Sequence, residues 1–90
     1  MDERIKIIAE HYGYTAQREQ FVEECAEATL AVQKCKRYGT MQAFNELCGE
    51  VADVLIMAQQ MRVLMSPSLI DAIMESKLER QMERINDETT

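Results

Sequence analysis

Breakers of regular structure are nearly absent from this chain, with three glycines and one proline among ninety residues. No stretch is rich in alternating β-branched residues either. The fold class that follows is all-α, a bundle of about four helices. Helix one is expected over Asp2 to His11, with Ile5, Ile8, Ala9 and Tyr12 on one side, and Tyr12-Gly13-Tyr14 breaks it. Thr15 then offers a hydroxyl as N-cap. Helix two is expected over Ala16 to Arg37, where Phe21, Cys25, Ala28, Val32 and Cys35 form an apolar stripe and Gly39 is a stop. Helix three is expected over Met41 to Met65. Its centre, Val51 to Ala58, is apolar nearly all round, as in a helix enclosed by others. Ser66-Pro67-Ser68 is a turn with a capping residue. Helix four follows over Leu69 to Ile85, and Asn86 to Thr90 reads as a polar, frayed tail.

Length and composition point to a partner chain. The ninety residues read as one domain, 1–90, and 47% of them are apolar. A chain this short buries only about 60% of its unfolded surface. Helix three, at ~1.5 Å per residue, would be roughly 37 Å long, too long for a small monomer to cover. The expectation is a homo-oligomer, dimer or tetramer, with a small monomeric bundle as the alternative.

The net charge is −6. Nucleic-acid binders need a basic stripe to replace counterions, so a nucleic-acid polymer is a poor partner for this chain. A free nucleotide can still bind where metal ions sit between carboxylates and phosphates. The sequence shows no signal-peptide pattern and no long apolar run, so no membrane partner is expected. Three cysteines, Cys25, Cys35 and Cys48, lack metal-finger spacing. A cytoplasmic setting with free thiols is expected, each cysteine serving as a small core residue.

Most of the sixteen acidic residues read as solvated surface, including the ladder Asp71, Glu75, Glu79, Glu83 and Asp87. Two pairs differ. Glu24 and Glu27, and Glu50 and Asp53, are the only carboxylates three apart, a spacing that puts both side chains on one helix face. Glu50 shares its side with Val54, Met57 and Met61, Asp53 falls beside Met57 and Leu64, and Glu24 and Glu27 sit at the edge of the stripe on helix two. A buried ionised carboxylate needs a partner. Protonation, pairing with Lys or Arg, and metal binding are the three options. Four converging acids favour a metal, and an all-oxygen set suits Mg²⁺ or Mn²⁺. A helical di-iron site would want two Glu-x-x-His pairs, and the only histidine, His11, lies in another helix.

Glu23-Glu24-Cys25-Ala26-Glu27 matches E-E-x-x-E, and Glu50-Val51-Ala52-Asp53 matches E-x-x-D after 22 intervening residues. With Asn45-Glu46-Leu47, Val54-Leu55-Ile56 and Lys77-Leu78-Glu79-Arg80 around them, these motifs resemble the MazG-like branch of the all-α NTP pyrophosphatases over nearly the whole chain. The resemblance implies hydrolysis of a nucleoside triphosphate to the monophosphate and pyrophosphate, with one or more Mg²⁺ ions and a bundle completed by a second subunit. Carried over by position, Glu24, Glu27, Glu50 and Asp53 are the metal ligands. Glu23 is a further acid of the catalytic set, supporting the ligands or orienting water. A metal-activated water would attack the α-phosphorus.

Helix four supplies cations. Ile70, Ile73, Met74, Leu78 and Ile85 define its inner stripe, with Lys77 inside it, Arg84 at its edge and Arg80 just outside. Their long stems can lie along apolar surface and present a charge to phosphate, or snorkel to solvent. Lys34, on the face of Glu27, is a further phosphate candidate. His11, Tyr12 and Tyr14 read as a packed helix end rather than as contacts to a base. Gln81-Met82-Glu83-Arg84-Ile85 departs from the aromatic-proline ending of some relatives, so the resemblance implies no base preference. The alternative functions are a catalytically silent helical partner protein and a nucleotide sensor.

Overall fold

The computed structural model describes residues 2–89. Among these there are four helices and no strand: α1 (Glu3–Tyr12), α2 (Tyr14–Tyr38), α3 (Met41–Leu64) and α4 (Pro67–Thr89). The all-α class and the order of helices are as expected. The last helix is longer than expected, continuing to Thr89 where a frayed tail was expected from Asn86; Thr90 lies outside the described residues.

Local chemistry sets each boundary. The Asp2 carboxylate caps α1, accepting from the Arg4 N–H at 2.9 Å. The hydrogen-bonded Arg4 guanidinium holds that carboxyl down at a pKa of about 2. Gly13, at φ 85°, serves two helices at once. Its N–H donates to the Ala9 carbonyl at 2.8 Å, and its own carbonyl accepts from the Gln17 N–H at 3.1 Å. This moves the start of α2 forward to Tyr14, so Thr15 lies within the first turn and is not the cap. Gly39 closes α2 in the left-handed region, at φ 61°, with its N–H on the Cys35 carbonyl. Thr40 at once caps α3, its hydroxyl accepting from the Ala43 N–H at 3.1 Å. Only Gly39 and Thr40 separate α2 from α3, and a connection this short folds them back as an antiparallel pair.

The two helices meet along lines that alternate steps of four and three. On α2 the inward positions are Gln17, Phe21, Glu24, Ala28, Ala31 and Cys35; on α3 they are Ala43, Leu47, Glu50, Val54, Met57, Met61 and Leu64, with Gln60 buried beside Met61. This is coiled-coil spacing. It corrects the expected stripe of α2, because Cys25 and Val32 are exposed and polar Gln17 takes an inner place. At the far end of the pair, buried Gln60 accepts a 2.6 Å hydrogen bond from the side-chain amide of buried Gln17. The short α1 lies against both helices, with Ala9 wholly buried.

The α4 helix is different. Among the described helices it touches α3 alone, and it buries no residue. Pro67 begins it, in the first-turn position where a missing N–H costs nothing. The Arg62 guanidinium holds Asp71 through Nε at 2.7 Å and through Nη2. Asp71 is exposed, as expected of the acidic ladder, and its hydrogen-bonded ion pair lowers its pKa and ties the first turns of α4 to the end of α3.

Much apolar surface stays open as a result. The chain exposes 7028 Å², against about 5,400 Å² for a compact monomer of its mass. Its radius of gyration is 16.3 Å, against roughly 12 Å for a compact chain of this length. The centre of α3, expected to be enclosed, is covered on one side only: Met57 is buried, whereas Val51, Leu55 and Ile56 are exposed. On α4, Ile73, Met74, Leu78 and Ile85 are exposed and only Ile70 is half-buried. The expected packed helix end is not formed, since His11, Tyr12 and Tyr14 are exposed. All three cysteines are free, as expected; Cys35 is half-buried on the inner line of α2, whereas Cys25 and Cys48 are exposed and are not core residues. Among the described residues, no helix is long and apolar enough to cross a membrane.

Candidate metal centre

Glu24 and Glu50 stand on the facing inner lines of α2 and α3, each half-buried, and Glu27 is exposed one turn beyond Glu24. One carboxylate oxygen from each lies within 4.8 Å of the other two. Glu24 therefore sits in the stripe of α2 rather than at its edge. Gln20 donates to Glu24 Oε1 at 2.8 Å. Glu24 Oε2 and Glu50 Oε2 are buried with no hydrogen-bond partner.

The electrostatics agree with the geometry. Burial pushes the Glu50 carboxyl above its ordinary pKa, and the charges of Glu27, Asp53 and Glu24 push it further the same way. Among the described residues, none of the ion pairs reaches any of these four acids. Buried carboxylate oxygens without a donor are costly. Of the three options open from sequence, neutralisation by Lys or Arg is not formed among the described residues. A proton and a cation remain.

Asp53 is exposed and outside the close trio, although Glu50 feels its charge. Glu23 is also exposed and outside the trio. Beside the trio runs an open groove of about 200 Å³, lined by Glu27, Leu30, Ala31, Lys34, Glu46 and Glu50. Lys34 thus shares a surface with two of the acids. Lys77, Arg80 and Arg84 are not brought there by their own chain: all three are exposed on α4, which contributes nothing to this groove.

Two inward positions escaped the sequence argument. Gln17 and Gln60 are polar, and a search for apolar periodicity passes over them. Stepping back four residues from Phe21 and forward three from Met57 would have found both. Glu46, in the groove wall, stood only in the Asn45-Glu46-Leu47 stretch of the family resemblance and was given no role of its own. No family model, curated protein or solved structure matches the chain.

Proposed function

We propose that this chain is a Mg²⁺-dependent, MazG-like nucleoside triphosphate pyrophosphohydrolase, releasing pyrophosphate and a nucleoside monophosphate. The observation that carries the reading is the pair of buried, unpartnered oxygens on Glu24 and Glu50 within a trio of converging carboxylates. The donors are all hard oxygens, the set that Mg²⁺ and Mn²⁺ prefer, and so the residues present fit such an ion.

Glu24, Glu27 and Glu50 would hold the metal, and the resemblance adds Asp53, whose charge reaches Glu50. When bound, the metal supplies charge neutralisation between carboxylates and phosphates and a water of lowered pKa. Lys34, in the groove wall, offers its ammonium to the phosphate chain. Glu23, exposed and outside the trio, takes a water-orienting role in this reading by the resemblance alone. The α-phosphorus is the point of attack in this reading, by resemblance to the MazG-like enzymes.

The same reading needs a second copy. The excess exposed surface is on the order of 1,600 Å² per chain, enough for a standard-size interface. It is carried by the apolar stripe of α4 and the open side of α3. The Lys77 and Arg84 side chains lie in and beside that stripe, so its burial against another copy is how these cations, and Arg80 with them, would come to an acid-lined groove.

The deciding experiment measures pyrophosphate release from a panel of nucleoside triphosphates with Mg²⁺, for the wild type and Glu50→Gln. Release by the wild type that falls at least a hundredfold in the variant, about 2.7 kcal/mol of barrier, supports the assignment. Equal release, or none from either protein, rejects it.

A further inference from the structure

We infer that the buried Gln17–Gln60 hydrogen bond is a positioning device that holds the two acidic motifs opposite one another. The inference rests on the metal-centre reading for its function, but its geometry stands by itself. Gln17 and Gln60 are 7% and 3% exposed and joined at 2.6 Å. Antiparallel pairing makes their contact a register mark. Seven residues along α2 from Gln17 is Glu24, and seven residues back along α3 from Gln60 is Asp53. Ten residues in the same directions reach Glu27 and Glu50. The contact therefore sets Glu24 and Glu27 at the level of Asp53 and Glu50, and at that level Glu24, Glu27 and Glu50 converge while Asp53 stays exposed.

The acids lie between two constraints. At one end the Gly39–Thr40 connection ties the helices covalently. At the other end, beyond the acids, the amide pair ties them by a directional bond. Without it, the layer around Phe21, Ala28, Val54 and Met57 would be held by apolar contacts alone. Such contacts are non-directional, and repeating four-three spacing lets neighbouring offsets pack almost as well. Carboxylates that repel one another would take any such freedom to move apart. A polar pair at inner positions is the recurrent means by which paired helices select one register.

The test separates positioning from stability. Gln17→Leu/Gln60→Leu replaces both partners with apolar groups of similar size, which leaves no orphaned amide and keeps the pair packed. Gln60→Glu keeps an acceptor for the Gln17 amide at the same place and serves as the rescue. In a background with the cysteines replaced by serine, spin labels at exposed positions 22 and 55 report the offset across the acidic layer without any metal. Mn²⁺ binding is measured in parallel by the signal of the free ion.

The double-leucine protein should keep its melting temperature yet show a broadened or displaced label distance. Its Mn²⁺ affinity should weaken by roughly tenfold or more, the scale seen when groups that orient metal ligands are removed. Gln60→Glu should restore both. An unchanged distance distribution in the double-leucine protein would overturn the positioning role, whatever the metal does. Absence of Mn²⁺ binding by the wild type would instead remove the metal-centre reading, with the label distances still deciding the clamp.

Discussion

The metal-free protein should be more stable in mildly acid solution than at neutrality, and Mg²⁺ should reverse that order. In the folded chain Glu50 has a raised pKa, with burial as the main cause and neighbouring carboxylates next. The folded state therefore keeps a proton that the unfolded chain releases around pH 4.5, the ordinary value. Stability from that proton is fully present below the unfolded pKa and is lost as pH climbs through the folded one. In EDTA the melting temperature should accordingly fall from about pH 4.5 upward. Glu50→Gln removes the titration, so its profile over that range should be flatter and its neutral-pH melting point higher. A cation answers the same unpartnered oxygens. At a hundred times its Kd, Mg²⁺ adds about 2.7 kcal/mol to the folded state. For a domain of this size each kcal/mol moves the midpoint by roughly 4–8 °C, so the shift should be on the order of 10–20 °C. Differential scanning calorimetry from pH 4.5 to 8, with EDTA or Mg²⁺, reads both effects. The Mg²⁺ shift should shrink toward pH 4.5, where protons compete for the same oxygens, and should be largely lost in Glu50→Gln. Equal pH slopes and equal Mg²⁺ shifts in the two proteins would refute the argument.

Other outcomes follow from the same structure. Thr40→Ala deletes the cap that accepts from Ala43, and should cost about 1 kcal/mol, or roughly 4–8 °C by thermal melting. Gly39→Ala meets no steric neighbour, so its cost is the left-handed backbone alone, about 1 kcal/mol in denaturant titration. If α4 supplies Lys77 and Arg84 to the groove of a second copy, Glu50→Gln and Lys77→Ala/Arg84→Ala chains, each inactive alone, should regain activity when mixed and reannealed. Random pairing into dimers gives one whole site in every mixed dimer, about a quarter of wild-type pyrophosphate release. No recovery would mean that acids and cations act within one chain or not together.

How much was legible beforehand depended on the kind of force involved. The sequence by itself determined that the chain is helical, and three of its breaks followed from Gly13, Gly39 and Pro67, because backbone conformation at glycine and proline is a local property. It also singled out Glu24, Glu27, Glu50 and Asp53, because spacing along a helix fixes which side chains share a face. Tertiary structure alone decided which of them meet. Glu24, Glu27 and Glu50 converge because α2 and α3 pack antiparallel at one offset, and that offset depends on a Gln17–Gln60 contact between residues far apart in the chain. It also decided that α4 stands off from the acids, held at its base by Arg62 and Asp71. An amphipathic stripe says that a helix face must be covered, but hydrophobic attraction has no direction, so the stripe does not say by what.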